Sequence, residues 1–365
     1  MHYLNKTIFQ VMLAAFAFST QSAHAQSSVT FYGNVDTGVG YFSNVGGKSL
    51  YAAVDSNFIP NLFGFSGSED LGDGLKALFK LEAGFALSSG ALTVPGEIFQ
   101  RQAYVGLSSD KFGTLTMGHQ STFGFDTLLP FSVGYVGGTY TVHQGNFDEL
   151  ANSFEFNNSV KYVSPTYAGL SFATAFGFGN QAGNFANGRN YSFSLRYKNG
   201  PLALGATYEN ENNRFLELVN LVGLKSLLGT PLPQLNGVVA NKMENWGIGG
   251  SYELGDWTLH GLFTQSRITL TTGRGNANTI DAGADYLIRK VDSVGVGISV
   301  ENLDGGRWTT VNLSNIYFLS KRTKLYQQVM YQKASGENAV AALSFMGPAS
   351  GNSQLGVVVG IQHFF

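Results

Sequence analysis

The chain has 365 residues, with 47 glycines, 8 prolines, no cysteine and a formal net charge of −2. That charge offers no basic surface for nucleic acid, and the missing cysteines exclude disulfides, thiolate metal sites and a cysteine nucleophile. The glycines follow no triplet period, so a collagen-like chain is excluded.

At the N-terminus Lys6 precedes an apolar stretch from Ile8 to Phe18, and a small-residue segment ends Ala23-His24-Ala25. Charge, short apolar core and A-x-A end predict a secretory signal peptide over residues 1–25, removed before Gln26. Its apolar core is too short to span a bilayer as a helix, for which ~20 residues are needed. After it, period-two alternation dominates: Val29 to Tyr41, Leu75 to Phe85, Tyr191 to Lys198, Trp257 to Phe263, Ile280 to Tyr286 and Leu355 to Ile361. Aromatic residues recur at the ends of such stretches: Tyr41, Phe85, Phe112, Tyr167, Tyr197, Tyr208, Tyr252, Tyr286 and Tyr331. Alternation alone fits a soluble sandwich as well. Repeated aromatic ends instead fit the girdles of an outer-membrane β-barrel.

The pattern predicts sixteen strands, at 28–42, 54–67, 73–86, 98–108, 112–121, 158–164, 169–179, 190–198, 201–210, 242–253, 256–268, 277–288, 293–302, 308–319, 324–333 and 353–365. The fold expected is all-β, one antiparallel transmembrane barrel over residues 26–365. Two connections are long, 122–157 and 211–241, and long connections in a compact domain are usually functional. The second carries Leu216, Leu218, Leu221, Leu224, Leu227 and Leu228, a spacing that suits a short amphipathic helix at the mouth.

Ordered landmarks accompany this pattern: Ser28 to Gly33, Gly64 to Gly72, Gly74 to Ala77, Arg101 to Leu107, Phe112 to Gly118, Asn158 to Tyr162, Ser164-Pro165, Leu319 to Tyr326 and the terminal His363-Phe364-Phe365. By their order and spacing the chain resembles the trimeric general porins of Gram-negative bacteria, in the beta-proteobacterial branch. The resemblance covers essentially the whole chain after the signal peptide. It implies a water-filled channel for passive diffusion of ions and small hydrophilic solutes, exported through the periplasm to the outer membrane. It also implies a homotrimer in contact with outer-membrane lipids and lipopolysaccharide, no nucleic-acid partner and no cofactor. Phe365, with Leu355, Val357, Val359 and Ile361 on its face, resembles the signal read by the barrel-insertion machinery; a plain final strand reads the same way.

In that family the long loop after strand five folds inward as a constriction facing basic wall residues, which here places residues 122–157. This loop holds Asp126, Asp148, Glu149 and Glu155, and His143, but no lysine or arginine. Positions that are often basic in the family read Leu62, Ser66, His119 and Glu155; Arg101 is retained, though on the parity of the outward Ala103 and Val105. Lys76, Lys80, Glu82, Lys161, Arg196 and Lys198 fall on the lumen parity. Selectivity follows the charges at the narrowest point, so this count predicts a pore less anion-selective than its relatives and leaning toward cations. Acids on salt-screened loop tips would cancel that tendency.

No HExxH, GxSxG, GxGxxG or P-loop pattern marks an enzyme. Asp281 and Asp285 share one face, but no compact ligand loop surrounds them and no metal is expected. A channel specific for one solute class and a surface adhesin with an incidental pore stay open as alternatives.

Overall fold

The computed structural model describes residues 27–151, 154–232 and 237–365; the expected signal peptide lies outside them. Sixteen strands form one closed antiparallel barrel. They are β1 (Ser28–Val45), β2 in two segments (Lys48–Asp55 and Leu62–Gly72), β3 (Leu75–Gly84), β4 (Gln102–Ser109), β5 (Gly113–Ser121), β6 (Glu155–Val163), β7 (Leu170–Gly177) and β8 (Asn190–Asn199). The second half comprises β9 (Leu202–Leu216), β10 (Val238–Leu254), β11 (Trp257–Thr269), β12 (Arg274–Ile288), β13 (Asp292–Leu303), β14 (Gly306–Phe318), β15 (Thr323–Ser335) and β16 (Ser353–Phe364). Each strand pairs with its neighbour in sequence. Closure comes from β1 against β16, with Asn34 opposite Phe364 through to Phe42 opposite Gly356. Among the described residues this closure leaves the barrel no open edge to aggregate or to stay unpaired in lipid.

The burial pattern tells a membrane barrel from a soluble sandwich. On β15 the buried set is Tyr326, Gln328, Met330, Gln332 and Ala334, whereas Leu325, Val329 and Tyr331 are exposed. On β8 Ser192 and Ser194 are buried and Phe193 and Leu195 exposed. Polar residues inside and apolar residues outside are stable only where the surroundings are hydrocarbon. Aromatic residues edge that outer face: Tyr252, Trp257, Tyr286 and Tyr317 at one end, with Trp257 and Tyr286 rings 4.8 Å apart, and Trp246 with Phe263 toward the other.

Three boundaries differ from expectation. The first hairpin turns at Gly46-Gly47, whose φ values of 59° and 93° suit glycine, so β1 and β2 extend into what read as a connection. The second strand is broken at residues 56–61: Ser56 takes a positive φ, Pro60 has no N–H to donate, and Asn57 is fully buried inside the barrel. The leucine-rich connection, shortened to 217–237 by longer β9 and β10, holds no helix among its described residues, only a two-residue ladder of Ser226–Leu227 with Thr230–Pro231. Its leucines meet inward-facing wall residues instead. Leu216, Leu218, Leu224 and Leu227 pack with Met243, Ile268, Leu303 and Trp308, with Ala339 and Ala341 of the 336–352 connection, and with Phe147 of the inward loop. This apolar cap lies against inward residues of β9–β15.

Candidate functional site

Between β5 and β6 the chain runs into the barrel as five short helical turns between Gly124 and Asn146. Buried backbone groups need partners, and the wall supplies them. Glu209 on β9 accepts the N–H groups of Phe123 (2.7 Å) and Gly124 (3.0 Å). Asp281 on β12 accepts that of Val133 (2.8 Å), and Glu301 on β13 that of Gln144 (2.7 Å). Gln328 on β15 donates to the Val136 carbonyl (2.9 Å), and at the break in β2 the Asn57 carbonyl accepts the Thr139 N–H (2.6 Å). The loop is therefore fastened along β9–β15 and at the β2 break, leaving open space on the β3–β8 side.

That space is a cavity of about 360 Å³ walled by Lys80, Tyr104, Gln120, Asp126, Lys161 and Arg196, among others. Lys161 Nζ lies 2.8 Å from Asp126 Oδ2, donates to the Ser121 carbonyl (3.1 Å), and sits 4.7 Å from the Phe123 ring centre. Arg196 donates to the Asp126 carbonyl (2.7 Å) and the Thr127 hydroxyl (3.0 Å). Beside the cavity Glu82 receives Lys80 (3.0 Å), Arg101 (2.9 Å) and the Tyr32 hydroxyl (2.8 Å). Arg101 resolves its own parity conflict: it precedes the first residue of β4 and turns inward onto Glu82.

The far side of the loop is buried against the wall. His143 is clamped between Asp148 of the loop (2.6 Å) and Asp281 of the wall (3.0 Å), and Thr264 donates to Asp148 (2.6 Å). Burial alone would lower the imidazole, but the two carboxylates win and hold it well above its ordinary value. Burial raises Asp148, and the His143 contact more than reverses it, leaving that carboxyl below its usual range. Arg214 bridges Glu149 and Glu211 (2.7 Å to the latter) and lies 4.3 Å from the Phe154 ring centre. Even so, burial keeps Glu149 well above the carboxylate range.

Of the acids and histidines expected at the constriction, the structure brings only Asp126 to the cavity. Asp148, Glu149 and His143 are sunk at 6%, 0% and 4% exposure and present no charge to it; an acid count along the loop could not know which side each residue takes. Glu155 starts β6 opposite Ser121 and is half-buried. His119 is displaced as well. It shares the outward parity of Leu115 and Met117 and lies opposite Ala103, its ring on Asn157 (2.7 Å), where the β5–β6 register slips, and on the Gln100 carbonyl (2.6 Å). Leu62 is buried opposite Asn34 and Gly84, and Ser66 lies opposite Lys80. Lys76 and Lys198 are exposed toward the short-turn end, Lys76 opposite Asp70 and Lys198 3.7 Å from Glu253. Sequence reasoning missed Glu209, Arg214, Glu301, Gln328 and Asn57. Inward parity marked the strand residues among them, but nothing local marked the loop as their partner.

A closed barrel of sixteen strands, apolar outside and charged within around an inward loop, is the architecture of an outer-membrane channel. The Gram-negative porin family matches residues 12–337, and the chain belongs to that family. It is similar to an outer membrane porin protein of Bordetella pertussis, 30% identical across 99% of this chain and 100% of that one. Outer membrane porin protein 32 of Delftia acidovorans is 28% identical across 97% and 99%. Among solved structures, the anion-selective porin from Comamonas acidovorans superposes with a TM-score of 0.77 at 25% identity, over 93% of this chain and 100% of that one. The chain is thus an outer-membrane porin of the branch its landmarks indicated, and a channel rather than an enzyme.

Proposed function

We propose that the barrel is a water-filled pore for passive diffusion of small hydrophilic solutes and ions, narrowed where the inward loop faces β3–β8, with a weak preference for anions. The observation that carries this reading is the cavity wall, where Lys80, Lys161 and Arg196 meet a single loop acid, Asp126. Adding the adjoining Arg101–Glu82 pair gives four cations against two carboxylates. Asp148 and Glu149 are buried in ion pairs, and Glu155 lies half-buried at the start of β6 outside the cavity wall, so the tendency toward cations loses its basis. Anion preference weaker than in relatives remains, because Glu82 and Asp126 partly neutralise the cations. Similarity to a porin named as anion-selective supports the same sign. The short strands β3–β8, of 8–10 residues against 12–17 for β9–β16, form a low wall suited to a threefold seam. We assign that wall to a homotrimer. Phe365, one residue past β16, exchanges paired backbone bonds with Gly33, both 3.0 Å, and we assign it to recognition during insertion.

Single-channel recording in a planar bilayer tests the proposal. Stepwise currents in threes, with a small reversal potential of the chloride-selective sign under a KCl gradient, are expected. A cation-selective sign sinks the charge argument, and a folded barrel without conductance sinks the pore.

A further inference from the structure

Three connections meet on the side of the lumen away from the cavity. They are the back of the inward loop at 139–146, the 217–237 connection between β9 and β10, and the 336–352 connection between β15 and β16. Gln144 stands at their junction, 1% exposed. Its side-chain carbonyl accepts the Gly223 N–H (2.8 Å), and its amide donates to the Ala342 carbonyl (2.8 Å). Those two backbone groups belong to different long connections, which also meet directly where the Val340 N–H donates to the Gly223 carbonyl (2.8 Å). Around this point the inward loop bonds to both. The Gly145 N–H reaches the Leu221 carbonyl (2.7 Å), the Ser344 N–H the Tyr140 carbonyl (3.2 Å), and the Ser344 hydroxyl the Val142 carbonyl (2.8 Å). A sharp turn allows it: Gly145 and Asn146 take φ of 69° and 46°, a conformation in which glycine and asparagine are favoured.

A primary amide carries an acceptor and two donors at one side-chain end, so Gln144 satisfies an N–H of one connection and a C=O of the other together. An aliphatic side chain would satisfy neither, and a carboxylate only the first. The 336–352 connection is itself pinned to the wall. Gln332 on β15 accepts the Ala342 N–H (2.6 Å), Gln354 on β16 that of Leu343 (2.6 Å), and the Trp308 indole on β14 donates to the Val340 carbonyl (2.8 Å). We propose that Gln144 is a positioning residue for diffusion: through it the two long connections hold the back of the inward loop, so the narrowing opposite β3–β8 is set from the mouth as well as from the wall. This rests on the pore reading above, since a loop that narrows no conducting path has no width to set. Gln144 does not line the cavity, so it acts through the loop backbone.

The test compares Gln144→Met, close in volume but without either hydrogen-bonding group, with Asn338→Ala, both in the full barrel. Asn338 fastens the two long connections to one another, its side chain bonded to the Ser226 N–H (3.1 Å) and carbonyl (2.7 Å), with no hydrogen bond to the inward loop among the described residues. Both variants should lower the heat-modifiability midpoint. Only Gln144→Met should change transport. Brief current excursions in single-channel recordings should become at least ~5-fold more frequent, the factor carried by one net hydrogen bond, and the ratio of disaccharide to monosaccharide uptake in liposome swelling should move. Unaltered current statistics and uptake ratio in Gln144→Met overturn the proposal. So does an equal change in Asn338→Ala, which would make any loosening of the mouth sufficient. Should Gln144→Met fail to fold, Ser344→Ala, which removes only the hydroxyl bond to Val142, is held to the same two readouts. A wild-type barrel without current sinks the pore reading and this inference with it, a result distinct from an indifferent variant of a conducting barrel.

Discussion

The two sides of the inward loop carry acids of the same type into opposite environments. At its start Asp126 borders an open cavity, its carboxylate shared with Lys161 and its carbonyl with Arg196. Farther along the loop, Asp148 and Glu149 are pressed into the wall against His143, Thr264 and Arg214. If that cavity is the conducting path proposed above, the first acid acts on a passing ion, because it lines it. The others act on the fold alone, since a buried charge in contact with its partner projects little field beyond them. Formal charge on a loop is therefore no measure of charge in a channel.

The largest break in this contrast comes from Arg214→Leu. It strands Glu149 and Glu211 without their cation, and removing one partner of a buried pair costs about 3–5 kcal/mol. The heat-modifiability midpoint should fall sharply while the reversal potential of surviving channels stays put. A moved potential with an unchanged midpoint would place Glu149 in the pore.

A smaller effect on the same side follows pH. His143 is raised in the folded barrel, so its contribution is complete below the ordinary imidazole value of ~6.5 and is lost as pH climbs through the raised one. Glu149, also raised, loses stability in the same direction, starting above the ordinary carboxylate value. Asp148 is lowered, so its share is present above ~4 and is lost only as pH falls through its depressed value. Midpoints measured from pH 6 to 11 should therefore decline on the alkaline side, and His143→Gln should flatten part of that decline. An unchanged slope would mean the clamp titrates elsewhere.

On the open side, Lys161→Glu should move the reversal potential toward cations by several millivolts and also lower the midpoint, since the side chain is 8% exposed and its loss sets a second carboxylate against Asp126. No shift would take Lys161 out of the conducting path. The smallest effect is expected of Lys198→Ala. Its side chain is 69% exposed and only 3.7 Å from an exposed Glu253, a class of pair worth about 0–1 kcal/mol. It lies outside the cavity, so neither midpoint nor potential should change measurably.

Much of this barrel was legible in the chain itself, because a strand between lipid and water must alternate and alternation survives translation into sequence. Ser192, Phe193, Ser194 and Leu195 show it residue by residue, as do the turns after Asn199 and Leu254. Even the lumen parity of Lys80, Lys161 and Arg196 could be read that way. The strand break at 56–61 and the cap of leucines could not. Each depends on a partner distant in the chain: Asn57 on Thr139, and Leu227 on the wall of β10–β14.

Sequence by itself thus determined the strands, their faces and the charges available to the interior, since each of these is a local consequence of period two. Tertiary structure alone decided which charges meet water. A loop with no pattern of its own settles wherever its buried N–H and C=O groups find acceptors and donors, and Glu209, Asp281, Glu301 and Gln328 supply them from strands far along the chain.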